Sequence, residues 1–154
     1  MTVEFQLEGP GRSIEEALPL FKRHYEEIAK YKDIPLEVDL ETYARIEAAG
    51  GLRCYSARDA GRLVGYVIFF VKNHPHYAST LFASQDVLYL DPDYRKGMTG
   101  LRLIRFADRQ LEAEGVQVVT QHVKTYADFG PLLERLGYEK VETVYMRRLG
   151  AGHE

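Results

Sequence analysis

The sequence predicts an α/β protein of the α+β kind, a central sheet flanked by helices in the order β-α-α-β-β-β-α-β-α-β-β, with six or seven strands and about four helices. Three observations carry this. Some segments repeat apolar residues with period two and others at helical spacing, the marks of half-buried strands and of amphipathic helices. Strand-like and helix-like segments follow one another without a linker, an internal repeat or a low-complexity stretch. A chain of 154 residues that is 45% hydrophobic is long enough for one domain with a core and too short for two ordinary ones.

Val3 to Glu8 alternates apolar and polar residues through Val3, Phe5 and Leu7, and Gly9, Pro10 and Gly11 end that strand. "SIEE" from Ser13 to Glu16 has the form of a capping box, with Ile14, Leu18, Phe21, Tyr25 and Ile28 at helical spacing. Pro19 lies inside this pattern, where it removes a donor and crowds the preceding turn, so the main helix is expected to start near it. Asp39 is placed to cap a second helix carrying Leu40, Tyr43 and Ile46, and Gly50-Gly51 supplies its stop. Leu52–Arg58 and Arg62–Lys72 read as strands around the hairpin turn "DAG", and "VIFFV" implies burial on both faces. "NHPHYAS" reads as a loop and Thr80–Leu90 as a longer strand. The next helix carries Gly100, Ile104, Ala107 and Leu111 on one stripe and ends at Gly115. Val116–Val123 is expected to be a strand and Asp128–Leu136 a short helix stopped by Gly137. Tyr138–Leu149 is expected to hold one or two final strands. Residues 1–149 are thus read as one domain, and 150–154 as a frayed tail.

Composition excludes several function classes. A net charge of -3 and a pI near 6.0 give no overall basic field, which argues against a mainly electrostatic affinity for nucleic acid. One cysteine, Cys54, rules out an internal disulfide framework and points to a reducing compartment. No C-x-x-C, H-x-x-E-H or H-E-x-x-H spacing suggests a metal, so none is expected. No segment approaches the ~20 apolar residues that span a bilayer, and a soluble, cytoplasmic protein is expected.

The most informative stretch is "LDPDYRKGMTGLRLI", where a strand passes through a turn with Arg95, Lys96, Gly97 and Gly100 into a helix. The first turn of a helix leaves amide donors unpaired, and its dipole favours negative charge, so such a turn suits a pyrophosphate. The plainer alternative is that the glycines serve a tight turn and close helix packing while the cations are solvated. A Walker loop does not fit, because Lys96 precedes the second glycine instead of following it. The G-x-G-x-x-G of a dinucleotide fold is also absent.

The chain resembles the GCN5-related N-acetyltransferase (GNAT) family. "VLYLDPDYRKGMTGLRLIRFA" lies without gaps on that family's [QR]-x-x-G-x-[GA] pattern, with Arg95 first, Gly100 last and Met98 where a glycine is usual. "LLERLGYEKV" is similar to the family's F-Y-E-K-L-G-F segment, with Leu133 in place of the tyrosine that often protonates the departing thiolate. The resemblance covers nearly the whole chain. It implies a mixed, mostly antiparallel sheet, acetyl-CoA as acyl donor, and transfer of an acetyl group to an amine by direct attack in a ternary complex. The binding residues it implies are Leu88, Tyr89 and Leu90 on the fourth strand, then Arg95, Lys96, Gly97, Met98, Thr99 and Gly100. An amine acceptor is the implied partner, no membrane is expected, and a homodimer is compatible with the sequence. The departures at Met98 and Leu133 leave a second reading open, a CoA-binding or interaction module with weakened catalysis.

Amine acetylation needs a neutral nucleophile, a donor for the developing oxyanion, and a proton for the thiolate. Asp86 is the one carboxylate inside the predicted fourth strand and is the candidate base, the alternative being a hydrogen bond to a neighbouring loop. Tyr126 is the candidate acid in place of Leu133, or else an aromatic cap over cofactor or core. His74 and His76 flank Pro75 in the preceding loop and are either substrate contacts, proton acceptors or solvated. His24 and Tyr25 fall where the first helix borders the acceptor cleft, Tyr25 at a core-spaced position. Cys54 reads as a small buried hydrophobe. Arg102, Arg105 and Arg109 form a stripe on the third helix that is either solvated or faces an anion.

Overall fold

The computed structural model describes residues 2–9 and 13–150. In chain order it contains β1 (Val3–Leu7), α1 (Ser13–Ile28), α2 (Leu40–Ala48), β2 (Leu52–Asp59), β3 (Arg62–His74) and β4 (Tyr77–Leu90). A short 3-10 turn (Pro92–Tyr94), α3 (Thr99–Ala113), β5 (Val118–Thr120) and α4 (Gly130–Arg135) complete it. The strands form one sheet in the order β1-β2-β3-β4-β5, antiparallel except for the parallel pair β4–β5. The mixed, mostly antiparallel class therefore holds.

The sheet has five strands among the described residues, not six or seven. Tyr138–Leu149, expected to be strand, pairs with nothing in the sheet. Val141, Val144, Tyr145, Met146 and Leu149 give the segment the apolar content of a strand but face solvent. Strand-like composition reports that a segment suits a sheet, not that an edge is there to receive it.

Burial on both faces of the central strands follows from the two helical layers. On one side Ile14, Ala17, Leu20 and Phe21 of α1 pack over Leu52, Cys54, Tyr66, Ile68 and Tyr89, with Tyr43 and Ile46 of α2 at the margin. On the other, Leu103, Ala107 and Leu111 of α3 cover Tyr55, Val67, Phe69, Val71 and Ala83. Each fully buried leucine of α3 contributes about 1.5–3 kcal/mol relative to exposure. Cys54 is a core residue as expected.

Local chemistry sets the connections. Asp39 caps α2, its carboxylate accepting from the Thr42 amide at 3.0 Å. The β2–β3 hairpin turns on Ala60 and Gly61, both at positive φ (50° and 83°), as a two-residue turn matching the strand twist requires. The β3–β4 connection is tighter than expected. His74 pairs with Tyr77 across a turn of Pro75 and His76, and the His74 ring lies 5.2 Å from Tyr77 and 5.0 Å from Phe82. These cross-strand aromatic contacts extend the ladder into a segment whose composition resembles a loop. Helix α1 runs through Pro19 instead of starting there. Pro19 lies on the exposed side of α1, where water can satisfy the carbonyl that loses its partner. Ser13, expected to cap α1, is instead its first helical residue. No helix of the described residues is long and apolar enough to cross a membrane.

Candidate active site

β4 and its edge neighbour β5 part after Ser84. β5 pairs only with Phe82, Ala83 and Ser84, while β4 continues to Leu90 with β3 on its other side. From Gln85 onward the β5-facing edge of β4 has no strand partner among the described residues, which leaves peptide groups open to a ligand. Side chains hold the parting. The Gln85 Oε1 accepts from the His122 amide at 2.6 Å, and Ser84 Oγ lies 3.3 Å from His122 Nε2.

Asp86 stands at the start of this open edge, half-buried. The Tyr43 hydroxyl of α2 donates to its Oδ2. Burial pushes the Asp86 carboxyl above the ordinary aspartate value, and the Tyr43 hydrogen bond and the charge of His122 only partly offset it. Burial, then the neighbouring Asp86, likewise pushes the Tyr43 phenol far up, so Tyr43 stays a donor throughout the physiological range.

At the other end of the edge lies the β4–α3 turn. Gly97 takes a positive φ of 88°, a conformation that costs glycine little. Met98 at the helix N-cap is 43% exposed and supplies no side-chain cap, so the first turn of α3 begins with open amides at Thr99 and Gly100. A Cβ on Gly100 would meet Leu132 at 3.6 Å and Leu90 at 3.7 Å, ordinary contact distances, so packing does not demand glycine there. Lys96 is exposed. Arg95 is already engaged: its Nη2 donates to both Glu27 oxygens at 2.8 and 3.0 Å, its Nε donates to the Leu90 carbonyl at 2.7 Å, and its guanidinium lies 5.4 Å from the Tyr89 ring centre. Leu88 is half-buried against the α3 cluster, Leu90 is half-buried against Ala57, Val64 and Tyr94, and Tyr89 is buried against α1. Between α1 and this corner opens a cleft of about 590 Å³ whose walls include Arg23, Glu26, Glu27, Tyr89, Asp91 and Asp93.

The structure thus brings Asp86, the β4 edge and the Arg95–Gly100 turn onto one strand and its continuation. Tyr126 is differently engaged. It is 56% exposed and its hydroxyl donates to the Ile28 carbonyl at the end of α1, at 2.8 Å. His76 sits at the β3–β4 tip, and Asp86 is nine residues beyond Tyr77 along the strand, roughly 30 Å away. His24 packs its ring 5.3 Å from that of Tyr89, and burial lowers its pKa. Tyr25 is not core: its hydroxyl donates to the Lys32 and Ile34 carbonyls and ties down the loop after α1. Arg102, Arg105 and Arg109 line the exposed face of α3. Tyr43, Gln85, Ser84 and His122 were not singled out as site residues by sequence. Tyr43 has the spacing of a helix-face packing residue, and nothing local to it reveals that α2 crosses β4 at Asp86.

The sequence profile of the Acetyltransferase (GNAT) family matches residues 14–138. Among solved structures, an aminoglycoside acetyltransferase from an uncultured soil metagenomic sample, in complex with sisomicin, superimposes with a TM-score of 0.74 at 14% identity, covering 96% of this chain and 97% of that one. A ribosomal-protein-alanine N-acetyltransferase from Brucella melitensis biovar Abortus gives 0.69 at 20% identity, covering 97% and 100%. A predicted acetyltransferase from Clostridium acetobutylicum, solved with acetyl-CoA, gives 0.74 at 10% identity, covering 96% and 97%. A search of curated proteins returns no significant match.

Proposed function

Because this chain belongs to the Acetyltransferase (GNAT) family, we propose that it transfers the acetyl group of acetyl-CoA to an amine of a small molecule or protein, by direct attack in a ternary complex. The observation that carries the reading is the β4 edge left open beyond Ser84, with a carboxylate of raised pKa at one end and an uncapped helix N-terminus at the other. The amides and cations of Arg95, Lys96, Gly97, Met98, Thr99 and Gly100 would receive the pyrophosphate, Arg95 sharing or leaving Glu27 as it does so. The edge from Leu88 to Leu90 would line the pantetheine and aim a backbone amide at the thioester oxygen.

In this reading Asp86 takes a proton from the acceptor ammonium, and the freed amine attacks the thioester carbonyl. The C–N bond forms as the carbonyl electron pair moves to oxygen; the nitrogen, now positively charged, gives its surplus proton to water, and collapse breaks the C–S bond to leave the neutral amide and release the CoA thiolate. Tyr126 or water returns a proton to sulfur. A thiol pKa of about 8.5, like that of free cysteine, makes this last transfer the least demanding step. None of these steps calls for a metal.

Calorimetry with acetyl-CoA tests the donor. Micromolar binding is expected, with Gly100→Val blocking it; no binding at millimolar ligand contradicts the reading. Release of free CoA thiol over a panel of amines, including aminoglycosides and peptide N-termini, tests turnover, and activity should survive dialysis against a chelator. Tight CoA binding with no thiol release on any amine favours the weakened module that Met98 and Leu133 suggest.

A further inference from the structure

The cleft of about 590 Å³ between α1 and the β4–α3 turn holds none of the reacting groups proposed above, yet it has the size of a small-molecule site. Its charge is unbalanced. Glu26 and Glu27 line it from α1, and Asp91 and Asp93 from the turn, against the guanidiniums of Arg23 and Arg62, which leaves a surplus of two negative charges. Both arginines are turned to neighbours of their own. Arg23 donates to Asp91 Oδ2 at 3.2 Å, and Arg62 donates to the Tyr94 hydroxyl at 3.2 Å. Among the described residues the carboxylates of Glu26 and Asp93 have neither an ion pair nor a side-chain hydrogen bond.

A second observation comes from the wall of the cleft. Tyr89, which forms part of it, is 2% exposed, and its hydroxyl has no hydrogen-bond partner among the described residues. The His24 ring at 5.3 Å and the Arg95 guanidinium at 5.4 Å hold the Tyr89 ring in place. A buried hydroxyl left unpaired is costly, and one in the wall of a polar cleft is placed to accept from a ligand. Free carboxylates and an accepting phenol oxygen suit a ligand that only donates, as an ammonium group does. One ammonium would leave part of the charge uncompensated, so the match is an organic cation with two or more of them. A bare metal ion suits the cleft less well, because among the described residues no three ligating side chains converge on a point.

We propose that the cleft between α1 and the β4–α3 turn binds a linear oligoamine, and that this site is coupled to the acetyl-CoA site through Glu27. Glu27 belongs to both places: it lines the cleft, and it holds Arg95 through two hydrogen bonds at 2.8 and 3.0 Å. The coupling, though not the site itself, rests on the reading that pyrophosphate draws on Arg95. When Arg95 turns to phosphate, Glu27 is released to the cleft as a further unpaired carboxylate, and the oligoamine binds more tightly. By linkage the oligoamine then tightens CoA by the same factor.

Calorimetry on the full-length protein tests this with bis(3-aminopropyl)amine, a linear triamine, and with CoA in place of acetyl-CoA so that no transfer occurs. At low ionic strength, where exposed charges are weakly screened, the triamine should bind once per chain with sub-millimolar affinity, and butylamine far more weakly. Saturating CoA should tighten the triamine about 5-fold or more, and the triamine should tighten CoA equally. Glu26→Gln combined with Asp93→Asn should abolish triamine binding while CoA still binds, which also shows that the variant folds. Tyr89→Phe should weaken the triamine, and Glu27→Gln should tighten CoA and remove the coupling. No triamine binding at millimolar concentration, or binding undiminished in the double variant, overturns the site. A CoA affinity that is the same with and without the triamine overturns the coupling. Protein that binds the triamine and no CoA upholds the site and overturns the donor assigned above.

Discussion

Glu8 and Asp86 are two carboxylates partly drawn out of water on the face of the sheet that α1 and α2 cover, and they are held in opposite ways. Glu8, just beyond β1, faces a cation: Arg58 Nη2 and Nε donate to it at 2.8 and 3.2 Å, and the same guanidinium reaches Glu16 of α1 at 2.7 Å. Burial would raise the Glu8 pKa, but Arg58, with the Ser56 hydroxyl and Gln6, holds it at about 2. Asp86 faces a phenol. Tyr43 gives it one hydrogen bond and no full charge, so burial prevails and its pKa rises. The identity of the partner, more than the depth of burial, decides whether a carboxylate bolts elements together or is left able to take a proton.

The largest effect should come from removing the proposed proton acceptor. Asp86→Asn is expected to lower kcat/KM by ~10- to 1000-fold and abolish the acidic limb of its pH profile, most clearly with a strongly basic amine. Glu8→Gln should leave both unchanged. Full activity in Asp86→Asn with an unaltered profile would break the contrast from the catalytic side.

Arg58→Met should break it from the structural side. Leaving Glu8 without its cation is expected to cost about 3 kcal/mol in urea unfolding, because an unpaired charge remains in a largely buried place. The pH dependence has a definite sign. The folded pKa of Glu8 lies below its ordinary 4.5, so its stabilisation is complete above about 4.5 and is lost as pH falls toward about 2. Unfolding of the wild type between these limits should show that loss, and Arg58→Met should show less of it.

Tyr43→Phe sharpens the comparison. The hydrogen bond from Tyr43 lowers the Asp86 pKa, so its removal should move the acidic limb of kcat/KM to higher pH, with a change of ~10-fold or less at the optimum. A limb that moves to lower pH would mean that Tyr43 acts on something else. Tyr126→Phe should have the smallest effect, ~10-fold or less, since thiolate departure gains little from an acid near neutral pH.

Much of this was legible in the sequence because the signals were local. Asp39 capped the helix that its spacing announced, and the "DPDYRKGMTG" turn opened α3 within a few residues of expectation. Asp86 stood out because strands disfavour aspartate. Its partner did not, because Tyr43 is 43 residues away in sequence and the contact exists only once α2 is laid across β4. His122 was hidden for the same reason, reaching β4 through Gln85 and Ser84 from beyond the end of β5. The β3–β4 tip and residues 138–149 failed in opposite directions. Aromatic pairing of His74, Tyr77 and Phe82 extended strands through a loop-like composition, and a strand-like composition found no edge.

Titrating both carboxylates in one sample by carboxyl-carbon NMR, alongside the pH profile of kcat/KM, tests the central claim most directly. Glu8 should titrate at about 2 and Asp86 above the ordinary 3.8, with the acidic limb of the wild-type profile following Asp86. An Asp86 that titrates at or below 3.8, or an acidic limb that does not follow it, would contradict the account.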